Sequence, residues 1–235
     1  MTYILLAALA PVVVLLYYIY RKDEVQKEPV KELLKAFGLG VLSTFLSLCI
    51  STPLGLLGFF PSEPSTLTGA AAVSFFGAAI PEEIAKFVLL WLLVRRNKFF
   101  DEHMDGIVYA AVVSLGFAAF ENILYLFSSE DWVSTGISRA IFSVPGHMFF
   151  GILMGYYYSL VRFDPVTPRI NRFWVLGAPI LAHGIFDTIL FSAGVLPEVL
   201  SLALMVVFIF FCNSLRKEAS KRIRMHLVKD GVVTE

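Results

Sequence analysis

Charge is scarce in this sequence. Lys, Arg, Asp and Glu make up 16% of its 235 residues, where a soluble domain carries about a quarter, so a chain that faces water over its whole surface is excluded. Cysteine is nearly absent. Cys49 and Cys212 stand alone in different apolar runs, which excludes a disulfide framework and leaves buried free thiols as the expected state. An excess of one charge sign is also missing, because 19 basic and 19 acidic residues cancel; no nucleic-acid partner is expected. Low-complexity tracts and a separate soluble domain are absent as well.

What is present is apolar sequence, 57% of the chain. A membrane-spanning helix needs about 20 largely apolar residues. Such runs recur at roughly 2–20, 33–60, 67–94, 106–127, 136–160, 173–193 and 197–214. The expectation is an all-α polytopic membrane protein of seven transmembrane helices. It forms one integral-membrane domain over 1–235, with a cytoplasmic tail from about 216 to 235, and the lipid bilayer is its first partner. Ala8-Leu9-Ala10 has the small-x-small form of a signal-peptide cleavage site. No basic segment precedes it, and the apolar run continues to an aromatic belt at Tyr17, Tyr18 and Tyr20, so the reading is an uncleaved first helix.

Basic residues give an orientation. Of 19 Lys and Arg, 17 lie in alternate connections: five in 21–35, three in 95–98, three in 162–172 and six in 216–229. The positive-inside rule then places the N-terminus outside and the C-terminus in the cytoplasm of a cell membrane. The two left over, Lys86 and Arg139, sit inside spans.

Polar residues inside the spans carry the functional argument. Pro81 to Phe87 reads PEEIAKF, with Glu82, Glu83 and Lys86 in the third apolar run. Each such residue costs about 2.5–3.5 kcal/mol at a helix centre, against a gain of about 0.3–0.6 per Leu, Ile, Phe or Val. This helix is marginal alone and needs partners in the bundle. Lys86, three and four residues after the two glutamates, can share a face with either. A structural ion pair would explain one glutamate and leave the second uncompensated. The next spans supply Glu121 and Asn122, then His147, then His183 and Asp187. His183 and Asp187, four apart, share one side of their helix. Arg139, Ser143, His147, Gly151 and Gly155 recur every fourth residue, a stripe that lines a cavity or a tight helix contact; Arg139 and His147 favour the cavity. Pro145-Gly146 loosens the helix just before His147. Taken singly, each residue has a duller reading. Either histidine can be a packing residue, Asn122 can bond a neighbouring helix, Arg139 can snorkel to the outer boundary, and His103 and Asp105 are expected to be solvated. Jointly, three glutamates, two histidines and an aspartate in four consecutive spans point to one site.

Carboxylates and imidazoles in a low-dielectric cavity can activate water by two routes. One uses a divalent metal, Zn first, held by two histidines and a carboxylate with a further glutamate as base. The other needs no metal: a glutamate takes the proton and histidines stabilise the oxyanion. Both lead to hydrolysis, and in a membrane the expected target is a peptide bond. Neither HExxH nor GxGD occurs in the sequence.

The order of EExxK (Glu82, Glu83, Lys86), FxxxEN (Phe117, Glu121, Asn122), PGH (His147) and HGxxD (His183, Asp187), each on its own helix, resembles the PrsW family of intramembrane proteases. That family is related to the CAAX prenyl endopeptidase and bacteriocin-processing superfamily. The resemblance implies a membrane endopeptidase of metalloprotease type whose substrate is a membrane-anchored protein such as an anti-sigma factor. It makes Glu82 and Glu83 the water-activating pair with Lys86 balancing their charge. Glu121, His147 and His183 become metal ligands or transition-state stabilisers, and Asp187 orients His183 or completes the shell. The catalytic helices are then those of residues 67–193. Three rival readings stand beside this one. A proton- or ion-coupled transporter uses similar residues but needs a polar route across the whole membrane. A haem protein ligated by His147 and His183 gives the glutamates no role. A non-catalytic scaffold leaves the costly groups unexplained.

Overall fold

In a computed structural model, which describes residues 1–23, 26–164, 166 and 169–234, the chain forms seven helices and no strand among the described residues. They are α1 (Thr2–Lys22), α2 (Val30–Leu56), α3 (67–94), α4 (His103–Ser128), α5 (Trp132–Phe163), α6 (Ile170–Ala193) and α7 (Glu198–Lys229). All but α3 are long and apolar enough to cross a membrane. α3 matches them in length and carries Glu82, Glu83 and Lys86. Each expected run therefore has its helix.

α4 is the central post, packed by α1, α2 and α5. Buried residues make up 78% of its apolar window, against 11% for the peripheral α7. Its small residues make this possible. A Cβ on Gly155 of α5 would lie 2.1 Å from the Gly106 carbonyl oxygen of α4, and one on Gly40 of α2 would lie 2.1 Å from that of Val113. Such close backbone approach is how helices associate where water supplies no hydrophobic drive. The four-residue stripe on α5 thus divides: Gly151 and Gly155 make the tight contact, while Ser143 and His147 face a cavity.

Two helices widen at matching points. α3 is α-helical over Leu67–Ala72, π-helical over Val73–Ala79 and α-helical again over Ile80–Val94; α5 is π-helical over Arg139–Ser143. In each, a proline follows two residues after the wide turn, Pro81 and Pro145. Proline has no N–H and its ring clashes with the carbonyl four residues back, here Gly77 and Ile141, both inside the wide turns. The helix accommodates this with bonds one residue longer: Ile80 N donates to Phe75 O and Val144 N to Arg139 O.

The helix ends on the basic side are tied together. Asp230, just past α7, accepts from the His103 and Met104 amides at 3.1 and 2.8 Å, capping α4 from another helix. His103 bridges Asp230 and Asp164 at 2.8 and 2.9 Å, and Lys229 pairs with Asp164 at 2.8 Å. The Tyr109 hydroxyl donates to Glu28. Two expectations are corrected here. Asp105 is buried, accepting from the Asp101 and Glu102 amides, and His103 is half-buried between carboxylates, so neither is simply solvated. Cys49 is exposed and Cys212 half-exposed, because α2 and α7 turn those faces outward. The segment after 216 continues α7 to Lys229 and packs Ala219, Ile223, His226 and Leu227 against the bundle; Glu235 of the expected tail lies outside the described residues.

Candidate active site

The widened turns of α3 and α5 deliver their next residues to one place. A cavity of about 180 Å³ is lined by Glu82 of α3, Glu121 of α4, His147 of α5, and His183 and Asp187 of α6. Glu83 and Lys86, both fully buried, stand behind it. The structure therefore brings together all seven residues singled out from the motifs.

Lys86 organises the inner wall. It donates to Glu83 Oε1 at 2.8 Å and to His147 Nδ1 at 3.0 Å, lies 3.5 Å from Glu82 Oε2, and sits 4.0 Å above the Phe117 ring. An ammonium only donates, so His147 Nδ1 accepts and its Nε2–H donates to Glu121 Oε2, 2.9 Å away. Glu83 Oε1 faces His183 Nδ1 at 2.9 Å. A carboxylate accepts, so His183 Nδ1 carries a hydrogen and the ring is held by a carboxylate–histidine bond. His183 Nε2 points to Asp187 Oδ2 at 3.2 Å and to Glu82 Oε2 at 3.9 Å. The imidazole stacks on Phe150, centroids 4.7 Å apart.

Arg139 completes the outer wall. Its Nη2 donates to Glu121 Oε2 at 2.6 Å, its Nε donates to Asn122 Oδ1 at 2.7 Å, and its guanidinium lies 4.0 Å from the Tyr125 ring centroid. Asn122 Nδ2 donates to Ala8 O at 2.8 Å, tying the site to α1 as a helix-bonding asparagine should. The expectation that Arg139 snorkels is corrected: it is buried and lines the cavity. The four-residue stripe containing Arg139, Ser143 and His147 carried that signal. Counting depth from the span end obscured it, because Glu121, the carboxylate that draws the guanidinium inward, lies on another helix.

The donor set suits a divalent cation. Single donor atoms of Glu82, His147 and His183 lie within 4.8 Å of one another. Glu82 Oε2 is buried and accepts no hydrogen bond. His183 Nε2 faces two carboxylates, Asp187 Oδ2 and Glu82 Oε2, and the Glu83–His183 bond is the usual outer support of a metal-bound imidazole. Glu82 thus takes the place in the converging set that the resemblance assigned to Glu121, which is occupied by Arg139 and His147.

Residues 28–213 match the family described as PrsW family intramembrane metalloprotease. Protease PrsW of Bacillus subtilis (strain 168) is 38% identical over 190 residues, covering 80% of this chain and 82% of its own. Protease PrsW of Geobacillus kaustophilus (strain HTA426) is 37% identical over 186 residues, 79% of each chain. That of Clostridioides difficile (strain 630) is 33% identical over 189 residues, 79% of this chain and 78% of its own. No solved structure matches.

Proposed function

Because the chain belongs to the PrsW family of intramembrane metalloproteases, we propose that its buried carboxylate–histidine cavity hydrolyses a peptide bond in a single-span membrane-anchored protein, an anti-sigma factor being the substrate class the family suggests. The observation that carries this is Glu82. It lines the cavity, and its buried Oε2 accepts no hydrogen bond, which leaves that oxygen open to a proton from water. In the metal route, Zn first, Glu82, His147 and His183 would hold the ion, Glu82 then serving as ligand rather than base, and the ion would supply Lewis acidity to the water and the scissile carbonyl. To join that set through Nε2, His147 would give up its bond to Glu121 and Lys86 would turn from Nδ1.

The chain's own groups do the rest. Glu83 holds His183 by Nδ1 and neutralises Lys86; Asp187 orients His183 from the other side. Glu121 and Arg139 close the outer wall, and the Arg139 guanidinium supplies a fixed positive charge where an oxyanion would form. Apolar packing speaks against the transporter reading: between Tyr109 and Asn122 the buried residues of α4 are apolar apart from Ser114. In this reading the C-terminus, on the side of the basic helix ends, lies in the cytoplasm beneath a cell membrane.

The test is a comparison of membrane-protein termini in cells carrying the native chain or its Glu82→Gln, Glu83→Gln version. One or a few single-span proteins should persist at full length only with the variant. No change at any terminus under the stresses tried would overturn the reading.

A further inference from the structure

Away from the site, two adjoining cavities of about 250 and 310 Å³ share Tyr18, Ser220 and Ile223, forming one crevice between α1, α5 and α7. Its two ends differ. The floor is apolar, made by Leu15, Met148, Phe149 and Ile152, all within the membrane-spanning parts of α1 and α5. The other end carries Lys22 and Arg224, while Arg216 borders the apolar floor. None of the three pairs with a carboxylate among the described residues; Arg216 bonds only the Asn213 side chain, at 3.0 Å. Arg222, on the same helix, is by contrast paired with Glu218 at 2.5 Å. The crevice is also built rather than loose, since α7 is pinned beyond it by Asp230 and Lys229.

We infer that this crevice binds one anionic phospholipid, its phosphate at Lys22 and Arg224 and an acyl chain along the apolar floor past Arg216. Three uncompensated cations call for an anion, and basic pockets between transmembrane helices take acidic headgroups at about 1 kcal/mol per Lys or Arg. The floor opens to hydrocarbon, which a free phosphate or an acidic peptide has no means to fill. Met148 follows His147 in the chain, so the lipid seats against the back of the helix that carries the site on its front. The binding itself does not depend on which reaction the site performs.

The experiment is native mass spectrometry with thermal unfolding of the full chain in detergent, titrated with phosphatidylglycerol, phosphatidylcholine or inorganic phosphate. Phosphatidylglycerol should bind saturably, one molecule per chain, and raise the unfolding temperature; the other two should not. Lys22→Gln, Arg216→Gln, Arg224→Gln together should weaken it about tenfold or more, whereas Lys217→Gln, Lys221→Gln, charges outside the crevice, should not. Ser220→Trp, which fills the crevice and keeps every cation, should also abolish binding and decides the matter if the triple variant fails to fold. Equal binding of phosphatidylcholine, competition by inorganic phosphate, or undiminished binding to Ser220→Trp would overturn the inference.

Discussion

Glu82 and Glu83 are neighbours in the chain with opposite surroundings, and substitution should separate them. Glu82→Gln removes a carboxylate whose Oε2 accepts no hydrogen bond and meets Lys86 only at 3.5 Å; unfolding temperature should change little while cleavage falls by about 10²–10⁴-fold. Glu83→Gln strips the fully buried Lys86 of its closest counter-ion, which should cost about 3–5 kcal/mol of stability. Thermal unfolding paired with a cleavage assay distinguishes the two. All seven motif residues were legible, because each is a costly group in an apolar run and four consecutive runs contain them. Which glutamate faces the cavity was not: the two lie about 100° apart on the helix, and only the positions of α5 and α6 decide which side is inside. Arg139 was misjudged for the related reason that its partner Glu121 is on another helix.

Helix existence followed from the length of each apolar run, so all seven elements were expected, near their observed bounds except that α7 runs on from 214 to Lys229. Their irregularities depend on local chemistry that hydropathy does not register. Pro81 and Pro145 were visible, and a break before His147 was expected; that the break is a widened turn, and that α3 repeats it, needed the backbone itself. Pro145→Ala restores an N–H and removes a penalty of about 3 kcal/mol, so stability should hold or rise. Relaxing the wide turn to an α-helix would rotate Arg139 and Ser143 off the cavity, and activity should drop more than tenfold, as kinetics beside an unfolding curve would reveal. The glycine contacts behave oppositely. Gly155→Val forces side-chain atoms against the Gly106 carbonyl and should cost about 1–3 kcal/mol or more, read as a lower unfolding temperature.

At the scale of the whole molecule, the basic-side helix ends form a second polar assembly that hydropathy reduced to loops. It ties α7 to α4 through Asp230, and Asp230→Ala should cost about 1–3 kcal/mol, with limited proteolysis newly admitted at 216–229. Stability should also fall as pH rises. Burial pushes Glu28, in the α1–α2 connection, up to about 7 against the pull of the Tyr109 hydroxyl, and burial with nearby Asp105 pushes Glu102 up to about 7. The folded protein therefore keeps protons that the unfolded chain releases from about pH 4.5. The stability present below that pH is lost progressively up to about 7, on the order of 3 kcal/mol for Glu28. Unfolding temperatures from pH 5 to 8 should show the decline, and Glu28→Gln should flatten it. Finally, the partners that make α3 tolerable in a bilayer come late: His147 is 61 residues after Lys86 and His183 is 100 residues after Glu83. At about 5–20 residues per second, a ribosome takes roughly 5–20 s to deliver the second, and for that interval the nascent third helix must be sheltered by the insertion machinery rather than by its own protein.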